Sequence, residues 1–342
     1  YRVTRAQLQN AGFDVNASNA LWQLYADGVE QPLIVGPNGD YIEFYGRGLD
    51  TPESDTRMYY LVVGAQPGKR MDTTVFRAIG APVAARSYQQ FVFKKDRFTY
   101  LSKVLNGETE NFFGVLITSA GGGNTTVNLP AVDTSAATAR VEIAVQGFSY
   151  IIHNYRILLN GTEIGTMTGI NTDLMTGAYT VPVSLLNSGA NDLSFTESVK
   201  ISYTRRYEAE QDRLWFYTPN YRQTRVSGFT SPAIRAFDMT DAADPKEVLN
   251  LKVRPAAGGG YELVLPSYRG RVVYAVADGA VRAPASVTGN VPSTLSTPQN
   301  AANMVIISYR DWMNEAENWA NYRRADGWSV KRLVRRLVLT RT

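Results

Sequence analysis

The chain has no cysteine, and His153 is the only histidine among its 342 residues. Without a thiol, the sequence excludes disulfide bonds, a thiolate nucleophile and zinc sites built on sulfur ligands. A single imidazole with no adjacent carboxylate is also a poor set of metal ligands. His153 alternates with Tyr155 and Ile157 at every second position, and this spacing favours a packed or hydrogen-bonded residue in a strand.

Long apolar runs and a broad surplus of positive charge are also absent. No run of about eighteen apolar residues occurs, so the sequence predicts no membrane span. The net charge is +4, but five basic residues lie within residues 331–342, and without those five the charge of residues 1–330 is −1. A nearly neutral body gives little support to nucleic-acid binding, which needs an extended basic surface.

Aromatic residues and glycine, by contrast, are abundant, with 20 Tyr, 13 Phe and 28 Gly. This composition is typical of strands joined by tight turns. Apolar residues recur at every second position in Val141–Val145 and in Val199–Tyr203, which indicates half-buried strands. Asn160-Gly161 has the residues of a hairpin turn. These patterns predict a β-sandwich or jelly roll in this part of the chain.

Weaker strand signals lie on both sides of this region. Val3–Gly12 predicts a short helix with Thr4 as its cap, and Asp27-Gly28 follows a strand as a hairpin dipeptide. The later strands are predicted at Arg213–Tyr217, Ile234–Phe237, Tyr261–Leu265 and Arg271–Val276. The sequence leaves open whether these later strands pack with the N-terminal unit as one composite domain.

A different pattern begins near residue 303. Asn303–Ile307 is a short apolar run that predicts a buried parallel strand. Asp311 is the expected N-cap of a following helix, and Gly327 is its expected end. Ser329–Leu339 then supplies a second strand. The apolar face of the helix is predicted to hold Trp312, Ala316, Trp319, Ala320 and Arg323.

The predicted fold class is therefore mainly β, with β-sandwich or jelly-roll domains followed by a short C-terminal βαβ segment. We expect a small β-rich unit with an N-terminal helix over residues 1–90 and a jelly-roll-like sandwich over 91–206. Further strands occupy 207–281. Residues 282–303, rich in Ala, Ser, Thr, Pro and Asn, form a linker, and 304–342 begin an α/β domain.

Three aspartates spaced by threes, Asp238, Asp241 and Asp244, are the candidate metal ligands. Clustered loop carboxylates can hold a hard cation, so calcium is the candidate ion. Aspartates also cap turns without any ion, and Asp244-Pro245 is a strong turn signal. The turn interpretation is favoured. No other cofactor and no catalytic residue is predicted.

Two further features have a functional and a structural interpretation. Gly46-Arg47-Gly48 follows a strand, but it lacks the third glycine of a dinucleotide fingerprint and Pro52 blocks an immediate helix, so a turn is predicted. Trp215, Tyr217 and Tyr221 could stack on sugar rings. Strands are naturally rich in aromatic residues, and a domain interface is favoured for these three.

Several blocks of sequence together resemble a known family. The C-terminal blocks are Met304–Ile307, Asp311–Met313 and Tyr322–Val330. The earlier blocks are Tyr41–Pro52, Asp55–Leu61, Leu105–Glu108, Asn111–Gly114, His153–Gly165, Gly228–Ser231 and Phe237–Asp241. In this order they resemble the N-terminal region and the first strand-helix-strand of gingipain-type cysteine peptidases, a bacterial secreted family with a caspase-like catalytic fold. The passage Leu185–Leu193 is similar to a loop-to-strand passage of galactose-binding-like jelly rolls.

The resemblance implies that the whole protein is a secreted or cell-surface bacterial endopeptidase with a Cys–His pair. This chain would be its non-catalytic N-terminal region, which positions or regulates a peptidase domain of the same polypeptide. Because the chain has no cysteine, we predict it to be inactive by itself. It departs from the family at Lys331–Val338, where a strongly basic stretch stands in place of the usual acidic one.

Two alternatives from other classes stay open at this point. The jelly-roll-like region could bind glycans as an adhesive cell-surface module, which is an argument from fold analogy alone. Copies of the chain could also assemble through exposed strand edges into an extracellular structure.

Overall fold

The computed structural model describes residues 1–77, 84–105, 109–118, 123–194, 198–267, 269–291 and 298–335. In these residues strands far outnumber helices, and they form eight sheets. The predicted class, mainly β with a short C-terminal segment, is confirmed. Short 3-10 turns join some of the elements, at Asn19–Leu21, Pro37–Gly39, Val183–Leu185, Asp278–Ala280, Pro298–Asn300 and Arg310–Trp312.

The N-terminal region consists of two small antiparallel sheets around one apolar cluster. Its elements are β1 (Arg2–Thr4), α1 (Arg5–Asn10), β2 (Trp22–Ala26), β3 (Val29–Gln31), β4 (Leu33–Val35), β5 (Tyr41–Phe44) and β6 (Tyr60–Val63). Two further strands, β7 (Asp72–Val75) and β8 (Ala84–Ala85), follow in the chain and belong to other sheets. The sheets have the orders β1-β5-β4 and β3-β2-β6, and Trp22, Leu33 and Ile42 are buried between them. Thr4 caps α1 as predicted, in a reciprocal capping box with Gln7.

The next region is a sandwich of two four-stranded antiparallel sheets. Its elements are β9 (Ser87–Lys95), β10 (Thr99–Tyr100), β11 (Phe112–Phe113), β12 (Asn124–Leu129), β13 (Thr138–Gln146), β14 (Ile152–Leu159), β15 (Thr162–Ile170), β16 (Leu174–Pro182), β17 (Gly189–Ser194) and β18 (Ser198–Arg206). The sheet orders are β16-β13-β18-β9 and β12-β17-β14-β15, while β10 and β11 pair separately. Val141, Ile143, Val199 and Ile201 point into one buried cluster, because alternate side chains share a face.

A third pair of sheets combines strands from both sides of the sandwich. Its later elements are β19 (Arg213–Thr218), β20 (Arg222–Phe229), β21 (Ile234–Asp238), β22 (Lys246–Leu249), β23 (Lys252–Pro255), β24 (Tyr261–Ser267) and β25 (Arg271–Ala277). The orders are β19-β25-β21-β22-β7 and β23-β24-β20-β8. Phe216, Phe229, Leu263 and Val273 fill the space between the two sheets. The early strands β7 and β8 pair in parallel with β22 and β20.

The chain therefore leaves this third pair of sheets after β8, builds the sandwich, and returns at β19. The sandwich begins at Ser87, a few residues before the predicted start at 91. Strands β7 and β8, which precede the sandwich, share sheets with β22 and β20, which follow it. How the chain divides into independently folding domains stays a prediction.

The first part of the predicted linker lies against the N-terminal region. The backbone N–H of Arg2 donates to the carbonyl of Arg282 at 2.8 Å. Val287 packs against the N-terminal apolar cluster, and a Cβ atom at Gly289 would approach the carbonyl oxygen of Ala11 to 2.7 Å. Residues 282–289 thus form a strap across this region. Residues 292–297 of the predicted linker are outside the described residues.

The C-terminal segment is a βαβ unit, with β26 (Met304–Tyr309), α2 (Met313–Ala325) and β27 (Val330–Arg335). The two strands pair in parallel, and α2 packs on both of them. Gly327, with φ +87°, follows the helix as predicted. Two parts of the predictions lie outside the described residues. They are residues 106–108 of the family-like blocks and residues 336–342, which contain the end of the predicted second strand and of the basic stretch.

One prediction about α2 is wrong. Asp311 is not its N-cap, because a 3-10 turn precedes the helix and Trp312 occupies the cap position with no side-chain hydrogen bond. Trp312 and Trp319 are exposed, with exposed fractions of 66% and 51%. A sheet of two strands covers only a narrow stripe of a helix, and here that stripe consists of Ala316 and Ala320.

Candidate functional site

The candidate site lies on the outer face of the five-stranded sheet. Because side chains alternate along a strand, Phe216 and Val273 point inward to the buried cluster, while Trp215, Phe237 and Tyr274 point outward. The outward side chains face β4 and β5 of the N-terminal region. The five-stranded sheet is therefore the middle of three layers.

A cavity of about 290 Å³ lies between these two layers. Six of the fifteen residues that line it are aromatic. The rings of Tyr45 and Trp215 stack with centroids 5.8 Å apart, and Trp215 and Tyr274 are tilted at 5.7 Å. Met71 and Met239 also line the cavity. The result is an apolar space between two sheets with aromatic faces on several sides, which we call the interlayer cavity.

A cluster of charged residues crosses the same interface. Glu43 on β5 is only 5% exposed, and each of its carboxylate oxygens accepts a hydrogen bond from a guanidinium group. The distances are 2.7 Å to Nε of Arg2 and 2.5 Å to Nη1 of Arg235. Arg2 also donates to Asp278 at 2.6 Å, and Arg235 donates to Glu247 at 2.9 Å. The cluster links β1 and β5 to β21 and β22.

Each charged side chain in this cluster forms an ion pair with a side chain of opposite charge. The hydrogen bond from Arg2 lowers the pKa of the Asp278 carboxyl below its ordinary value. For Arg235, burial lowers the pKa, but the hydrogen bonds to Glu43 and Glu247 outweigh burial and raise it. The ion pairs of the cluster therefore hold the N-terminal layer and the five-stranded sheet together.

Two further arginines, Arg213 and Arg282, line the interlayer cavity. Arg213 donates one hydrogen bond to the neutral side chain of Gln211, at 2.6 Å. Burial raises the pKa of Tyr274, while the positive charges of Arg213 and Arg282 act in the opposite direction.

The three candidate calcium ligands are tied to different partners. Asp238 is buried, accepts hydrogen bonds from Thr240 and forms an ion pair with Arg271 at 3.1 Å. Asp241 caps the backbone N–H of Ala243. Asp244 lies near two lysines, Lys69 and Lys246. Among the described residues no group of three acidic, His or Cys side chains could hold a metal ion.

These contacts match the turn interpretation of the three aspartates, because cationic groups and backbone donors occupy the carboxylates. Calcium binding by Asp238, Asp241 and Asp244 stays a prediction.

His153 lies in β14 as an ordinary strand residue. Its Nε2 is 3.0 Å from the carbonyl oxygen of Ser149 and 2.9 Å from that of Asn171. Since both partners are acceptors, this nitrogen carries a proton and donates. The imidazole ring stacks on Tyr155. It therefore braces two loops at one end of the sandwich, in line with the packed-residue interpretation.

Gly46-Arg47-Gly48 and the aromatic trio also have structural contacts. The backbone N–H of Arg47 donates to the hydroxyl of Tyr59 at 2.8 Å. The predicted turn is not found, because residues 46–48 continue from β5 without a turn or a bend. Trp215 packs against Tyr45 across the layer interface, as favoured from the sequence. Tyr217 and Tyr221 are more exposed than Trp215.

Sequence reasoning missed Glu43, Arg235 and Asp278. Glu43 and Arg235 are 192 positions apart, and Arg2 and Asp278 are 276 positions apart, so no local spacing connects them. The single available signal is an acidic residue inside the short apolar strand Tyr41–Phe44. An acidic side chain at such a position needs a partner when it is buried.

Comparison with solved structures shows which known protein the fold of this chain is similar to. No protein-family model matches the chain, and no curated protein matches it. The structure aligns with dimeric latent PorU from Porphyromonas gingivalis at a TM-score of 0.64 and 15% identity. The alignment covers 98% of this chain and 36% of PorU, so the chain spans about a third of that protein's length. The two share a fold.

Two other solved structures align poorly. An FMN-binding β-glucuronidase from Facaelibacterium prausnitzii L2-6 gives a TM-score of 0.20 at 12% identity, over 58% of this chain and 34% of that one. A cycloisomaltooligosaccharide glucanotransferase from Paenibacillus sp. gives 0.17 at 6% identity, over 62% and 48%. Scores this low carry no argument. Among the described helices of our chain, none is long and apolar enough to cross a membrane.

Proposed function

We propose that the chain is the non-catalytic N-terminal region of a secreted bacterial gingipain-like cysteine endopeptidase, where it positions or regulates the peptidase domain. The observation that carries the proposal is the alignment of nearly the whole chain with about a third of PorU, a protein described as latent. The ordered sequence blocks that resemble gingipain-type peptidases support it independently.

The C-terminal βαβ unit gives this proposal a physical basis. Helix α2 covers one face of the β26–β27 pair, while Val305 and Ile307 on the opposite face of β26 are exposed. Parallel strands are normally covered on both faces. A peptidase domain of the same polypeptide would supply further strands and the missing cover. The lack of cysteine fits a region that contributes no nucleophile.

The gene itself provides the test. We expect the reading frame to continue beyond codon 342 into an α/β domain that encodes a histidine and a cysteine. Peptidase activity of that longer polypeptide should then change when residues 1–303 are removed, while this chain alone should hydrolyse no peptide. A continuing frame without the Cys–His pair would refute the proposal.

A second candidate function, glycan binding, rests on the sandwich surface. Phe91 and Phe93 of the edge strand β9 are exposed side by side, and the ammonium group of Lys200 lies 5.3 Å from the centre of the Phe91 ring. Aromatic faces can pack on sugar rings. A glycan array with the complete chain tests this function, and Phe91→Ala with Phe93→Ala should abolish any signal. A signal that survives both changes would place binding elsewhere.

A further inference from the structure

The interlayer cavity has no part in the proposed function. From its lining we propose that it binds a small carboxylate that carries an aromatic ring. The occupant would lie between β5 and the outer face of β19, β25 and β21, with its ring against the aromatic wall and its carboxylate at Arg213 and Arg282.

The ring of the ligand follows from the wall of the cavity. Tyr45, Trp215 and Tyr274 form a continuous set of stacked and tilted rings, and Phe44 and Phe237 extend it. Offset and edge-to-face contacts between aromatic rings add to the free energy gained by burying apolar area. A volume of about 290 Å³ is at the small end for ligand pockets, so it suits a molecule with a single ring system.

The carboxylate follows from the charges that line the cavity. Glu43 is the one acidic residue of the lining, and Arg2 and Arg235 already neutralise it. Arg213 uses one donor on a neutral amide, and Arg282 has no side-chain hydrogen bond or ion pair within the described part of the chain. Each guanidinium group carries five N–H donors in a planar fork that matches a carboxylate. A negative ligand is therefore attracted and a positive one is repelled.

The walls are fixed before any ligand arrives. The Glu43 cluster joins the two layers through buried ion pairs, and the Tyr45–Trp215 stack joins them a second time. A preformed site loses little conformational entropy when it is occupied, which favours binding even of a small molecule.

The test titrates the complete chain with 3-phenylpropanoate by calorimetry, with 3-phenylpropanamide as the uncharged molecule of the same shape. We expect saturable binding of the acid and at least tenfold weaker binding of the amide. Arg213→Gln and Arg282→Gln should each weaken binding of the acid about tenfold, the effect of losing one charge-assisted hydrogen bond.

Arg225→Gln is the matched control. Like Arg213, Arg225 donates to a glutamine two positions earlier in the chain, but it lies on β20 outside the cavity. This change should leave binding of the acid unaltered. Val281→Phe is a second, blocking variant, because it adds a ring at a half-buried wall position and should abolish binding. Thermal unfolding of each variant shows whether it is folded.

Four results would overturn the inference. One is the lack of saturable binding at about 10 mM acid, the weak end of specific recognition. Another is equal affinity for acid and amide, which would leave the two arginines without a role. The third is an equal loss of affinity in Arg225→Gln and Arg213→Gln, and the fourth is full affinity in folded Val281→Phe. In both of these cases the ligand would lie elsewhere.

Discussion

Glu43 shows how much one side chain can determine when it is buried. It is an acidic residue in a four-residue strand, and it receives hydrogen bonds from guanidinium groups of two different sheets. A buried carboxylate without such partners would cost several kcal/mol, and two arginines without the carboxylate would repel each other. The residue is therefore needed by the layer interface as a whole.

Replacing Glu43 with glutamine should make this dependence measurable. Glu43→Gln leaves Arg2 and Arg235 without their shared anion, and we expect the free energy of unfolding to fall by about 3 kcal/mol. Urea unfolding is the measurement. The control is Asp27→Asn, which removes an ion pair with Arg57 at a mostly exposed aspartate and should cost less than about 1 kcal/mol. Equal losses in the two variants would contradict this role for Glu43.

Asp278 makes the same interface sensitive to acid. Its folded-state pKa lies below the ordinary carboxyl value because Arg2 donates to it. The ion pair therefore contributes stability above the pKa of the unfolded chain, and that contribution is lost as the pH falls through the lower folded-state pKa. We expect Asp278→Asn to reduce the pH dependence of unfolding between about pH 5 and pH 3. If the free energy of unfolding varied with pH in the same way for the unchanged chain and for Asp278→Asn, the prediction would be wrong.

At the scale of elements, the strands with strict alternation were predictable, whereas the short strands β7 and β8 were not. Val141, Ile143 and Val145 are buried as their spacing indicates, because each lies on the inner face of a long strand. By contrast, β7 and β8 have four and two residues and no apolar period. They become strands by pairing in parallel with β22 and β20, which lie well over a hundred positions later. The interlayer cavity could not be predicted from the sequence either, because its walls come from residues that lie far apart in the chain.

Strand β20 contains an irregularity that depends on one glycine. Its pairing with β24 shifts between Val226 and Phe229, and Gly228 there has φ +84°. A Cβ atom at this position would lie 2.7 Å from the carbonyl oxygen of Ala209, which is rigid backbone. We expect Gly228→Ala to destabilise the chain by about 1–3 kcal/mol in urea unfolding. Gly258→Ala, in open space, is the control and should be near neutral.

We expect the rest of the chain to fold without the βαβ unit. None of residues 304–335 belongs to the three apolar clusters found in the described residues. We therefore expect removal of residues 304–342 to leave the main thermal unfolding transition unchanged within a few degrees. Differential scanning calorimetry of chain 1–303 is the measurement. Loss of the main transition would mean that the unit belongs to a core of the β region.

At the scale of the whole molecule, the sandwich is inserted between the two segments of the chain that form the sheets around the interlayer cavity. The described strands β9 to β18 pair only with one another, in two four-stranded sheets and the separate β10–β11 pair. The N-terminal cluster includes Val287, and the five-stranded sheet includes β7. We expect fragment 1–206 to contain a protease-resistant sandwich while residues 1–77 are digested. In chain 1–291, both the sandwich and residues 1–77 should resist the protease. Mass spectrometry of the fragments distinguishes these outcomes. Protection of residues 1–77 within fragment 1–206 would contradict the expectation.

The strap of residues 282–289 has a consequence for how the protein is made. A ribosome delivers the N-terminal strands first, yet their last partner, Val287, emerges more than two hundred residues later. Synthesis proceeds at about 5–20 residues per second, so β7 and β8 wait on the order of ten seconds or more before β22 and β20 exist. Until Val287 follows, the apolar cluster around Trp22 also lacks part of its cover. These early strands therefore complete their packing late, and in that interval a chaperone or a transport machine would find them only partly packed.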